Sequence, residues 1–400
     1  MRLKFLLITS LFAFGSLLLY ADSWQIRDSI PAIGREGASS FVIGGKGYVA
    51  TGSVALSGIL NDLWEYDPVL NSWTQKASIN TIGRTVAFAF SINGKGYVGG
   101  GIDDSSHVRK DFWEYNPILN QWNQKGNLDT SIKGATSFAI NNKGYVICGD
   151  AQDGLHSRLA YEYDPIADNW TRKSNFRGAG RESASSFVIG NLGYVGFGTD
   201  YDTYFSDWYS YNPATDIWDT IASLPFMQGR FGATGFAVDG FGYTMGGFSY
   251  LNPSNQEVWQ YEPVGNVWVQ KNNFTGGFRL YASSFVINGH AFAGTGGAPT
   301  NTVRSDWWEY HPDPAGISEI NSFNISLFPN PSNGTVCINM ASGTNERKFL
   351  SIYNNHGSLI ISTEAIENKF YLDLSGQLKG IYFVKVSQGD KTTTQKIIFM

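Results

Sequence analysis

Six basic residues recur about 49 positions apart: Arg35, Arg84, Lys133, Arg181, Arg230 and Arg279. Each stands just ahead of an apolar stretch such as ASSFVI or ATSFAI. If the intervals are units of a ring, the six cations surround one opening. They would then hold an anion there, because a guanidinium matches a carboxylate with two parallel hydrogen bonds. Carboxylates of acidic sugars or of an acidic peptide would suit such a rim. The competing reading is structural, with each cation bonding backbone carbonyls or stacking on a neighbouring aromatic. Glu36 and Glu182 follow Arg35 and Arg181 in closely similar text, REGASSFVIG and RESASSFVIG, and would neutralise two of the six.

Other chemistry is thinly supported. The five histidines, His107, His156, His290, His311 and His356, are scattered, with no H-x-x-x-H pair and no Cys–His set for a metal. The loops IDDSSH, DAQDG and TDYDT each carry two carboxylates but lack the calcium-loop layout, so they read as solvated charge. There is no phosphate loop and no G-x-S-x-G elbow. The sequence thus assigns no catalytic residue, no cofactor and no metal ligand. Residues 22–322 hold nine more acidic than basic side chains, which argues against nucleic acid as a partner.

The elements that position these residues come from a repeat. DLWEYDPVLNSW (62–73) returns as DFWEYNPILNQW (111–122). Trp24, Trp73, Trp122, Trp170, Trp218 and Trp268 keep this period. So do Tyr66, Tyr115, Tyr163, Tyr211, Tyr261 and Tyr310, and also Tyr48, Tyr97, Tyr145, Tyr194, Tyr243 and Phe292. A period of this length signals a propeller blade. Each unit reads as four short strands with tight turns, for example ASSFVI, YVATG, NDLWEYDP and LNSWTQKA. The unit opening at Arg279 lacks a terminal Trp strand. SWQIRDSI (23–30) supplies one, so the N-terminal strand is expected to complete blade six and close the ring. The aromatic columns read as packing between blades.

With Gly52, Gly101, Gly149, Gly198, Gly247 and Gly296 after each second strand, the pattern over about 23–311 resembles the kelch family. The usual glycine pair survives only at Gly100–Gly101 and Gly246–Gly247, so these are degenerate units. The resemblance implies six propeller blades and, in some members, ligands bound at the rim. The copper site of the related galactose oxidase family has no counterpart, since Cys148 lies in a regular second strand. A sialic-acid epimerase of the kelch class would use Arg and Glu at such a mouth. Long, variable loops precede the first strand and join the second to the third, on one face; the opposite connections are short. Recognition is therefore expected on the long-loop face.

Arg2 and Lys4 precede an apolar run ending near Ala21, which reads as a cleaved secretory signal over 1–21. After a propeller at 22–311 and a linker at 312–322, residues 323–400 alternate as a small Ig-like β-sandwich. Its LFPNPSNG, IYNNHG, L-x-x-G-x-Y-x-V and terminal KII segments resemble the type IX secretion C-terminal sorting domain of Bacteroidetes. The resemblance implies passage through the periplasm to the cell surface or medium, the type IX machinery as a partner, and no membrane span after signal cleavage. Asp28-Ser29-Ile30 and Asp219-Thr220-Ile221 match an O-glycosylation pattern of that phylum. The expectation is an all-β protein, a six-bladed kelch propeller plus a sandwich, that binds a glycan or protein at the channel mouth. The alternative is a glycan-active enzyme using the same mouth.

Overall fold

The computed structural model describes residues 22–312 and 325–399, apart from 56–57, 152–153, 155, 226–228, 254, 299–301, 341–346, 355–358, 366 and 389–390. The signal segment 1–21 and all of the 312–322 linker after Pro312 lie outside the described residues. The chain divides into two compact units at Pro312/Asp313. Among the described residues no helix is long and apolar enough to cross a membrane.

Six four-stranded antiparallel sheets form the first unit. Blade one is typical: Ser39–Ile43, Lys46–Ala50, Leu63–Asp67 and Ser72–Lys76, in spatial order from the centre outward. The innermost strand alternates buried and half-buried residues, and the second is buried almost throughout. Innermost strands pack neighbour against neighbour, the last against the first. The sixth sheet takes its outer strand from the other end of the chain. Ser23–Arg27 pairs antiparallel with Trp307–His311, placing Trp24 opposite Tyr310.

The aromatic columns bind blade to blade. The indole N–H of Trp73, Trp122, Trp170, Trp218 and Trp268 each donates to a carbonyl of the preceding blade, at 2.7 to 3.1 Å. The Tyr66, Tyr115, Tyr163, Tyr211 and Tyr261 hydroxyls each donate to an Asn or Asp five residues later. In blade six Asp22 takes that place, accepting from Tyr310 and from the Asn272 backbone. The glycine column has a matching role. The N–H of Gly52 donates to the Arg84 carbonyl at 2.9 Å, and so on round to Gly296 and Arg35 at 2.7 Å. Each of these glycines has φ between +83° and +102°, a region that penalises a Cβ.

The second unit pairs a three-stranded sheet (Ile325–Phe328, Thr335–Met340, Lys369–Asp373) with a four-stranded one (Leu359–Ala365, Lys348–Asn354, Gly380–Gln388, Lys391–Phe399). Val336, Ile338, Leu350, Ile352, Val384, Val386 and Ile397 are fully buried in its core. Cys148 and Cys337 are both buried free thiols.

Candidate functional site

The channel narrows where the innermost strands begin. Six backbone hydrogen bonds close a ring: Gly37 to Tyr281, Val86 to Gly37, Gly134 to Val86, Ser183 to Gly134, Gly232 to Ser183 and Tyr281 to Gly232, at 2.7 to 3.1 Å. All six residues have φ between +46° and +63°. Beyond the ring lies a cavity of about 240 Å³ lined by the Ala, Ser and Thr residues of the innermost strands. The Tyr281 side chain reaches over the opening, its hydroxyl 3.1 Å from Ser183 Oγ.

Five of the six basic residues follow the structural reading and not the anion-rim one. Arg35, Arg84, Arg181, Arg230 and Arg279 are buried, at 0–1% exposure. Each pairs with a carboxylate at the start of its own blade's third strand. Arg35 grips Asp62 with two bonds at 2.5 and 2.9 Å, and Arg181 grips Asp207 at 2.6 and 3.1 Å. Arg84 meets Asp111 at 2.7 Å, Arg230 meets Glu257 at 2.8 Å, and Arg279 meets Asp306 at 2.6 Å. The guanidinium groups also donate to carbonyls of Thr51, Gly100, Phe197, Gly246 and Phe278. Arg181, Arg230 and Arg279 lie over the rings of Phe205, Phe197 and Phe274. Consequently the adjacent Glu36 and Glu182 do not neutralise Arg35 and Arg181.

Lys133 does not belong to the arginine column. The N–H of Gly101 donates to Ile132, where Gly52 and Gly149 donate to Arg84 and Arg181. Ile132 therefore holds the arginine position of blade three. The carboxylate position is also apolar there: Cys148 N–H donates to Leu159, as Thr51 does to Asp62. Blade three has replaced the buried ion pair with Ile132 and Leu159, which pack in one apolar cluster.

One residue further on, the Lys133 side chain turns to the mouth. Its Nζ lies 2.8 Å from Asp150, 2.7 Å from Glu182 and 3.0 Å from the Tyr201 hydroxyl. Burial pulls the Lys133 ammonium down, but these partners outweigh it and hold it above the ordinary lysine value. Burial pushes the Glu36 carboxyl up. Asp150, His156 and Glu182 offer ligand atoms within 4.8 Å of one another and are the residues that could hold a metal. The Lys133 ammonium already bridges the two carboxylates of that trio, as a built-in cation. In the acidic loop of blade two, Asp103 instead caps its own turn, accepting from the Ser105 and His107 backbone.

The other half of the mouth is aromatic. Phe231 lies 5.9 Å from Tyr281, 5.8 Å from Phe248 and 5.1 Å from Tyr204 by ring centroids, and Tyr204 stacks on Tyr250 at 4.3 Å. Phe231 and Leu280 occupy the position that holds Glu36 and Glu182 elsewhere, since each follows its blade's arginine. That substitution within the column was the signal available in the sequence for this aromatic wall. Ser29 and Thr220, in the two O-glycosylation-like tripeptides, are exposed.

The paired carboxylates predict a pH response. Burial raises the Asp111 carboxyl, but Arg84 and the Trp113 indole more than offset this and hold it below its ordinary value. Glu257 is likewise raised by burial and lowered further by Trp259, Arg230 and Asn252. The folded state therefore binds fewer protons at these sites than the unfolded chain. Their stabilisation is complete above the unfolded values, about 4, and is lost as pH falls through the lower folded values. The urea midpoint is expected to stay level from pH 7 to about 5 and to drop on further acidification. A midpoint that rises between pH 5 and 3 would contradict these pairings.

Comparison with known proteins gives a likeness for each unit. Residues 326–400 match the family described as secretion system C-terminal sorting domain. This tail marks the chain for type IX secretion, to the cell surface or beyond it, and implies a Bacteroidetes origin. The solved structure of YjhT, a kelch-type propeller, superposes with a TM-score of 0.62 at 16% identity, covering 70% of this chain and 95% of that one. At that identity the likeness shows the fold alone. No curated protein matches the chain.

Proposed function

We propose that the exported propeller binds a neutral glycan at the mouth of its channel and releases it unchanged. The observation that supports this most is the two-sided character of the mouth. Phe231, Phe248 and Tyr204 make one half apolar, and Lys133, Asp150, Glu182 and Tyr201 make the other hydrogen-bonding. A sugar ring carries C–H patches and hydroxyls in the same way, and a rigid scaffold with a few placed polar groups suits it. Charge favours a neutral sugar over an acidic one. The arginines are spent on their own blades, Lys133 is matched by two carboxylates, and Glu36 adds further acid. A carboxylated ligand would meet like charge at a partly desolvated surface.

One observation favours an enzyme at the same place. Glu36, Glu182 and Lys133 all act electrostatically on Tyr281, and the raised Glu36 is the kind of perturbed carboxyl that active sites use. Product analysis after incubation with any bound glycan separates binding from turnover.

The test is a glycan array probed with the exported chain, beside Phe231→Ala and Glu182→Gln. Neutral glycans should be retained, and Phe231→Ala should weaken them about tenfold, the loss usual for a central aromatic contact. Retention of acidic glycans alone, or of none by folded protein, would defeat the proposal.

A further inference from the structure

Resting on that glycan reading, we infer that the loops following the second strands of blades four and five form a separate sugar subsite, a stacking platform for a neutral pyranose ring. Tyr204 and Tyr250 lie parallel, 4.3 Å apart with 6° between their planes. Beside them is a hollow of about 250 Å³ lined by Asp202, Thr203, Tyr204, Ser249, Tyr250 and Leu251. The platform is held firmly from behind. Tyr204 packs on Phe231 at 5.1 Å and Phe248 at 5.9 Å. Gly229 lies so close that a Cβ there would be 1.8 Å from the Tyr204 carbonyl oxygen. In front it is open, with Tyr250 70% and Leu251 76% exposed.

Tyr250, left in water at the tip of a variable loop, does nothing for the core. The flat ring of Tyr250 fits the C–H face of a pyranose whose hydroxyls are mostly equatorial. Asp202, Thr203 and Ser249 stand at the edge of the hollow, where those hydroxyls would emerge, and can accept or donate hydrogen bonds. Burial and a hydrogen bond with Tyr250 push the Tyr204 hydroxyl up to about 12. The Asp202 carboxylate argues against an acidic sugar here too. The aromatic path from Tyr281 through Phe231 and Tyr204 to Tyr250 is continuous, in ring-to-ring steps of 5.9, 5.1 and 4.3 Å. The subsite would thus take a further unit of the oligosaccharide whose first unit sits at the mouth.

Calorimetric titration of the full chain with cello-, xylo-, galacto- and manno-oligosaccharides of one to six units tests this. Affinity for the preferred series should climb with length. Tyr250→Ala should abolish the climb, weakening the longest ligand about tenfold and leaving the shortest that binds unchanged. Tyr250→Phe, which keeps the ring face, should restore it. Because Tyr250 is exposed, unaltered thermal unfolding of both variants is expected and serves as the folding control. If Tyr250→Ala leaves the length dependence intact, or weakens short and long ligands equally, the subsite is refuted and the mouth reading stands. If folded protein binds none of the sugars, both readings fall.

Discussion

Replacing Arg84 by Ile alone is expected to cost about 3 kcal/mol of stability, because it takes the close cation from the Asp111 carboxylate and leaves it only Arg109, at 3.6 Å. Arg84 is fully buried, and Asp111 keeps only 13% side-chain exposure. Adding Asp111→Leu should return most or all of that loss. Removing both members of a buried pair avoids the uncompensated charge and lifts the desolvation penalty from each. Two observations make the double variant favourable here. Arg84 Nε has no hydrogen-bond partner, so the pair is incompletely satisfied to begin with. Blade three already carries the same exchange, Ile132 with Leu159, on the same backbone hydrogen bonds. The Trp113 indole, which donates to Asp111, is half-buried and would turn to water. Urea denaturation of the two single variants and the double gives the coupling directly. Losses that simply add would mean that the pair does not act as a unit.

Trp24→Ala should cost about 3–5 kcal/mol and leave the ring prone to open. Trp24 is 8% exposed and packs edge-on against Phe274 and at a tilt against Tyr310, both at 4.8 Å, with Phe236 at 6.2 Å. It sits on the strand that carries closure, Ser23–Arg27, which is tied down by its pairing with Trp307–His311 and by the Arg27–Glu309 ion pair. Loosening that strand bares the edge of Trp307–His311, and an open edge pairs with other chains. Concentration-dependent aggregation near the thermal midpoint is therefore expected for the variant. The indole N–H distinguishes Trp24 from its column. Trp24 Nε1 is buried without a partner, whereas Trp73 donates to Asp28 at 2.7 Å. Trp24→Phe should accordingly cost less than Trp73→Phe. Thermal unfolding of the three variants decides, and a Trp24→Ala protein as stable and soluble as the parent would show that the ring does not depend on this closure.

The placing of Lys133 among the arginines traces to one residue of register. The repeat step into blade three is one residue short at the cation, and charge type alone put Lys133 beside the arginines. The residues needed to correct this are in the chain. Asp62, Asp111, Asp207, Glu257 and Asp306 keep step with Arg35, Arg84, Arg181, Arg230 and Arg279, and blade three lacks both partners together. A cation that always travels with a carboxylate two strands on belongs to a pair, not to a rim.

By itself the sequence determined the repeat, its strands and turns, the aromatic and glycine columns, and the sorting tail. Those features are local or periodic: a strand alternates every two residues, a blade recurs every 49 or so, and six copies reinforce one another. Only the tertiary structure decided what faces the mouth. Burial of the five arginines depends on how far each carboxylate lies from its guanidinium across the sheet. The meeting of Lys133, Asp150, Glu182 and Tyr201 spans two blades. The wall of Tyr204, Phe231, Phe248 and Tyr281 is drawn from different columns of the repeat, each aromatic in only one or two blades. Residues from different columns converge only when the ring closes, and the repeat does not report the distance between columns.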